Sequence, residues 1–241
     1  FLQRITLSNN TFQGEIPQEL GNLFRLQILE LGKNTLGGEI PSNLSHCHNL
    51  MHIRLGRNNL VGKIPPEIET QISCFPLQQH YIGGVPQFLG NFTDLQTLSA
   101  AGNSLGGELP NSLSGLKGLI FLGLAGNNIS GTIPPSLFNL SFATRVSLSE
   151  NQFHGVLPSD IGFSLPSLQG IQIWGNHLSG PIPVSLSNAS NLIAIEINKN
   201  NFSKQIMLKQ FLCLNSELPL NLLSSVIIPK ASAVSRIKMP P

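Results

Sequence analysis

One short string, Gly-x-Ile-Pro or a close variant of it, recurs down this chain at an almost fixed interval. Its proline falls at positions 17, 41, 65, 86, 110, 134, 158 and 183. The steps are therefore 24, 24, 21, 24, 24, 24 and 25 residues. A period in this range marks a stack of like supersecondary units. No unit can bury its own apolar face alone, so neighbours must stack into one continuous core. A ninth unit follows in register, with Lys204 and Met207 where its Gly and Pro would stand.

One unit reads L-x-x-L-x-L-x-x-N-x-L-x-G-x-I-P-x-x-L-x-x-L. The second copy shows it in Leu26, Leu29, Leu31, Asn34, Leu36, Gly38, Ile40, Pro41 and Leu44. The x-L-x-L-x part has period 2 and predicts a short strand with leucines inward and the x residues outward. The Asn ends the strand and turns the chain, because its amide carries both donors and an acceptor for the backbone groups freed there. Asn10, Asn34, Asn58, Asn103, Asn127, Asn151, Asn176 and Asn200 hold this slot and should stack as a ladder. The Gly permits a tight path, the Pro steers the chain onto the far side, and the closing leucines pack a helical turn on the core.

These features predict an α/β solenoid: a right-handed superhelix of about nine 24-residue units. Its concave side should carry a parallel sheet, and its convex side short helical or 3-10 turns. The array should cover residues 1–203, with a degenerate unit at about 67–89. There "EIETQISCFPLQQHYI" (67–82) loses the Leu and Asn positions. Residues 204–241 mix Leu, Ser, Lys and Pro without period and are assigned no domain. A frameshift, a retained intron or a truncated gene would account for that tail.

The L-x-G-x-I-P half, as in "NSLGGELPNSLSGL", "NNISGTIPPSLFNL" and "NHLSGPIPVSLSNASNL", resembles the ectodomains of plant leucine-rich-repeat receptor Ser/Thr kinases. Within them it is most similar to the subclass that senses bacterial peptides. The resemblance implies an extracellular, N-glycosylated segment on the outer face of the plasma membrane. It implies a peptide or protein ligand for that segment in immune or developmental signalling, and a leucine-rich-repeat co-receptor as a further partner. The sequence departs from the family plan in having no paired-cysteine cap before its first unit. It has no secretory signal, no membrane helix and no kinase motifs, so no kinase activity is carried over to this chain.

Composition narrows the function further. Charged residues make up 11% of the chain and the net charge is +2, too small a bias to argue for nucleic acid or an anionic membrane surface. No run approaches the roughly 18 apolar residues that would span a bilayer. Three cysteines, Cys47, Cys74 and Cys213, are too few and too scattered for a disulfide framework. His46, Cys47, His48 and His52 cluster in sequence, but the repeat register aligns Cys47 with Leu23 in the core and sends His52 to the opposite side. They predict no metal site. No nucleophile elbow or triad spacing is present, and the glycines recur at the repeat period rather than in a phosphate loop. The chain is expected to be no enzyme and to need no cofactor.

The outward strand positions form the candidate binding face. Arg4, Glu30, His52, Arg54, Arg57, Phe121, Arg145, Gln172, Trp174 and Glu196 are its leading residues. The one tryptophan and the arginines carry most weight, since such side chains are typical anchors of interfaces. Seven N-x-S/T sequons, at Asn9, Asn43, Asn91, Asn128, Asn139, Asn188 and Asn201, become glycan acceptors if the chain is secreted. Two other functions fit a repeat array of this length. One is a secreted leucine-rich-repeat inhibitor of an enzyme, of the polygalacturonase-inhibiting kind, which should carry cysteine caps. The other is a non-functional truncated receptor fragment.

Overall fold

The computed structural model describes residues 1–61 and 85–203. Period-2 segments of each unit form three-residue strands, and eight of these assemble into one parallel sheet. In sheet order they are Arg4–Thr6, Ile28–Glu30, His52–Arg54, Thr97–Ser99, Phe121–Gly123, Arg145–Ser147, Gly170–Gln172 and Ala194–Glu196. Parallel strands need a crossover between them. Here each crossover is the rest of the repeat, and most carry a five-residue 3-10 helix begun by the marker proline, as at Gln18–Asn22 after Pro17 and Val184–Asn188 after Pro183. The fold is thus a leucine-rich-repeat α/β solenoid, with the sheet on one side and helical turns on the other.

The core is the stack of inward residues. Leu29, Ile53, Leu98 and Leu122, from four strands in succession, are all fully buried. Each fully buried side chain of this kind stabilises the fold by about 1.5–3 kcal/mol. Because every unit covers the next, that contribution exists only in the stack.

The asparagines join the units. Asn127 donates Nδ2 to the carbonyl of Leu124 in its own unit (3.0 Å) and to Ala100 in the preceding one (3.1 Å). Its Oδ1 accepts from the backbone N–H of Leu105 at 3.1 Å. Asn34, Asn58, Asn103, Asn151 and Asn200 repeat this pattern, as does Asn176 on Ile173, Leu148 and Phe153. Asn10, in the first strand's unit, is exposed, and its side chain donates only to the carbonyls of Leu7 and Ser8 in its own unit.

A second set of strands runs beside the main sheet. Gln13–Glu15 pairs with Thr35–Gly37, and His154–Val156, His177–Gly180 and Asn201–Phe202 form a three-stranded sheet. Isolated bridges at Val61–Ser104, Glu108–Ser130 and Thr132–His154 continue the same line. These strands lie at the marker glycine. Gly131, for instance, has a φ of +77°, and the stem of Glu108 from the preceding unit occupies the space a Cβ would fill. The positive φ favours glycine there, and the flexible Glu108 side chain settles into the space it leaves.

The expected degenerate unit at about 67–89 falls largely on residues outside the described ones. The described flanks nevertheless meet in register. His52–Arg54 pairs directly with Thr97–Ser99, and Leu60 donates its N–H to Asn103 Oδ1. Equivalent positions here stand 45 residues apart, His52 to Thr97, against 24 between Thr97 and Phe121. Twenty-one residues are therefore in excess of one period. Leu60 and Val61 on one side, with Val85, Pro86 and the helix Gln87–Asn91 on the other, complete one unit.

The longest step, from Pro158 to Pro183, has its own cause. One extra residue converts the usual 3-10 segment into an α-helical turn, Ile161–Ser164. Within it Gly162 approaches the next unit so closely that a Cβ would lie 1.7 Å from the carbonyl oxygen of Ser185. Gly21 and Gly90 hold the corresponding slot, with carbonyls at 2.3 and 2.0 Å.

Two substitutions test this account. Asn127→Ala removes the partners of three backbone groups in a buried setting and should cost about 2–4 kcal/mol, at about 1 kcal/mol per bond with a penalty for those left unpaired. Gly162→Ala forces backbone apart and should destabilise by more than Ala would at an exposed helical glycine, where it is neutral or favourable. Urea denaturation of both proteins reads these differences directly.

Candidate functional site

Strand pairing lines the outward residues into columns that run along the solenoid. The first column holds Arg4, Ile28, His52, Thr97, Phe121, Arg145, Gly170 and Ala194. The second holds Thr6, Glu30, Arg54, Ser99, Gly123, Ser147, Gln172 and Glu196. Eight of the ten leading residues therefore share one face in two adjacent lines. Trp174 stands two residues past Gln172 on the same side. Arg57 lies beyond its strand, in the turn before Asn58.

The charges on this face are partly spent on one another. Arg54 forms an ion pair with Glu30 of the adjacent strand, the only one among the described residues. Gln172 donates Nε2 to Glu196 Oε1 at 3.0 Å. Arg4, Arg57 and Arg145 are exposed and enter no ion pair among the described residues. Lys199 sets its Nζ 5.4 Å from the ring centroid of Trp174, within cation–π range.

Phe121 is half-buried because its ring lies down over the sheet. A Cβ on Gly123 would sit 2.8 Å from Phe121 Cζ, so the absence of a side chain at 123 creates the bed for the ring. His52 is half-buried beside Arg54. Its Nδ1 is buried without a partner. Desolvation lowers its pKa, the positive charges of Arg54 and Arg4 lower it further, and Glu30 opposes them.

The turn before each ladder asparagine holds a feature that the sequence pattern alone did not single out. Asn9, Lys33, Arg57, Glu150 and Lys199 all adopt positive φ, between 52° and 61°. Gly102, Gly126 and Gly175 hold the same slot in the other units. A non-glycine residue costs about 1 kcal/mol or more in this conformation. The slot is readable in hindsight as the residue directly before each ladder Asn. Its left-handed backbone is not.

The sequons divide by position. Asn91, Asn139 and Asn188 are exposed and end their 3-10 helices. Asn43 is half-buried, with its carbonyl pressed against Gly21. Asn9 and Asn128 are exposed in the turns that hold the ladder, and Asn201 is exposed at the start of the strand Asn201–Phe202. Cys47 is fully buried, its thiol 3.3 Å from the Leu20 carbonyl, and burial raises its pKa. Among the described residues no three His, Cys, Asp or Glu side chains are grouped to hold a metal ion, and no helix is long and apolar enough to cross a membrane.

The family described as Leucine Rich Repeat matches residues 1–23, 25–47, 49–70, 94–116 and 118–140. No curated protein matches the chain. Among solved structures, the leucine-rich-repeat ectodomain of the Arabidopsis thaliana membrane receptor kinase GASSHO1/SCHENGEN3, in complex with CASPARIAN STRIP INTEGRITY FACTOR 2, is 36% identical with a TM-score of 0.66. That match covers 85% of this chain and 25% of the other. The ectodomain of the Arabidopsis receptor kinase HAESA, in complex with an N-terminally extended IDA peptide hormone ligand, is 33% identical at a TM-score of 0.67, covering 89% and 36%. The plant peptide hormone receptor RGFR1, in complex with RGF2, is 33% identical at 0.66, covering 83% and 32%. The chain carries leucine-rich repeats, and its structural neighbours are plant receptor-kinase ectodomains. It spans about a quarter to a third of their length.

The environment of His52 gives a pH prediction. Its pKa is lowered in the fold from an unfolded value near 6.5. The fold therefore favours the neutral ring, and its contribution is complete above about pH 6.5 and lost as pH falls through and below that value. His52→Gln should flatten the dependence of the melting temperature on pH between about 7 and 5. An unchanged slope would place that dependence on other groups.

Proposed function

We propose that the concave face binds an extracellular peptide or protein ligand, as a recognition segment of a plant cell-surface receptor kinase. The observation that carries this reading is the continuous outward lattice across eight strands, with Phe121, Trp174 and the unpaired Arg4, Arg57 and Arg145 displayed on it. Aromatic and arginine side chains on an open, rigid sheet are the residues that most often dominate binding energy. The peptide hormones bound by RGFR1 and HAESA, and the co-receptor SERK1 bound with HAESA, support a peptide ligand and a leucine-rich-repeat co-receptor for this face too. Its setting is then immune or developmental signalling at the outer side of the plasma membrane. The repeat sequences favour the subclass sensing bacterial peptides. Signalling itself would come from a kinase joined to the segment or supplied by the co-receptor.

Glycans belong to the same reading. Asn91, Asn139 and Asn188 would carry them on the convex side, away from the ligand face. The half-buried setting of Asn43, its carbonyl pressed against Gly21, disfavours its use. When the chain is secreted from plant cells, mass spectrometry of its glycopeptides should find the first three occupied and Asn43 largely bare.

The binding claim is tested by selecting linear peptides from a displayed library on the full chain. Trp174→Ala should weaken the selected binders by about 10- to 30-fold, with the melting temperature unchanged, while Phe163→Ala on the convex side should leave them unaffected. Binders insensitive to every substitution on the concave face would overturn the reading.

A further inference from the structure

The row of left-handed turn residues contains a gap with a charge at each end. Reading along it, Arg57 is followed by Gly102, Gly126 and then Glu150. The two glycines present no side chain. The neighbouring residues one step back, Gly56, Ala101, Ala125 and Ser149, are all small. A bare lane thus crosses the middle of the sheet along the ladder edge. Three strand spacings of about 4.8 Å put the Cα atoms of Arg57 and Glu150 about 14 Å apart. Both side chains lean toward the next unit, Arg57 with Cγ 3.4 Å from the Cβ position of Gly102, Glu150 with Cγ 3.4 Å from that of Gly175. Their Cγ atoms therefore keep about the same separation as their Cα atoms. Neither enters an ion pair among the described residues.

The strain sharpens the point. Glycine serves this slot in three units at no cost, yet Arg57 and Glu150 are held there with φ of 57° and 52°, as Asn9, Lys33 and Lys199 are in other units. Strained residues concentrate where their side chains are used.

From this arrangement we propose that the lane takes an extended peptide with an acidic residue over Arg57 and a basic residue over Glu150, four positions apart. The inference rests on the concave face being a ligand surface and names the chemistry it selects. An extended chain advances about 3.4 Å per residue, so positions i and i+4 are about 13.5 Å apart. Alternation adds a parity condition. Residues i and i+4 point to the same side of the peptide, whereas i+3 and i+5 point to the opposite side from i. The side chain at i+2 also faces the sheet, and the glycines leave room for it. Four is the separation at which both charges can face the sheet and meet their partners.

The test uses synthetic Gly/Ser/Ala peptides carrying one Glu and one Lys, separated by two to six positions, titrated against the full chain at low salt. Members with a separation of four should bind about tenfold more tightly than those with three or five. Arg57→Glu should abolish that preference, and a peptide with two Lys at a separation of four should recover it on this variant. Ala125→Leu, which raises the floor, should remove tight binding with the melting temperature unchanged. Affinity independent of the separation, or a preference that survives Arg57→Glu, overturns the proposal. If library-selected binders still respond to Trp174→Ala in that case, only the lane is wrong. If they do not, the ligand surface itself falls.

Discussion

The buried asparagine amide is the interaction on which this architecture depends. Each unit turns sharply at the end of its strand, and that turn strands backbone groups in a place water does not reach. A leucine-filled interior offers them nothing. Asn127 resolves this with one side chain, donating to two carbonyls and accepting from an N–H in the unit before it. An aspartate would lack the donors, and a serine would lack the reach and the second donor. Since the bonds run to the preceding unit, the same atoms that close a turn also set the stacking register. The flat columns on the outer face are the far side of that register.

The convex side imposes the complementary condition. Glycines at 21, 90 and 162 let the helical turns of successive units approach to backbone contact. The sheet spacing is fixed by hydrogen bonds and cannot adapt. The helical layer adapts instead, and the extra residue at Ile161–Ser164 shows how: it lengthens into an α-turn while strands Arg145–Ser147 and Gly170–Gln172 pair undisturbed.

Much of this was written in the sequence because repetition supplies its own alignment. Eight copies of one pattern distinguish inward Leu29 from outward Glu30 without reference to coordinates, and they place Cys47 in a leucine slot. What depends on the relation between units was harder to read. The flanking strands at Gln13–Glu15 and His154–Val156 arise from neighbouring units meeting, and no single copy encodes a strand signal there. The union of Arg54 with Glu30 needs the strand register, and the recumbent ring of Phe121 needs the empty position at Gly123 beside it. The left-handed slot was hidden because Lys33, Arg57 and Glu150 look like ordinary solvated residues. Two markers at Pro65 and Pro86 suggested one short unit between them, and what could be read only from coordinates is that the strands on either side, His52–Arg54 and Thr97–Ser99, pair directly.

That pairing changes how the chain tolerates variation. The strands at His52–Arg54 and Thr97–Ser99 and the Asn58–Asn103 step fasten the two parts of the solenoid whatever the number of residues connecting them by sequence. Insertions and deletions between Val61 and Val85 can therefore accumulate without shifting a single outward column. The position is a natural seam, where new sequence can be added to the array while the spacing that a ligand measures stays constant.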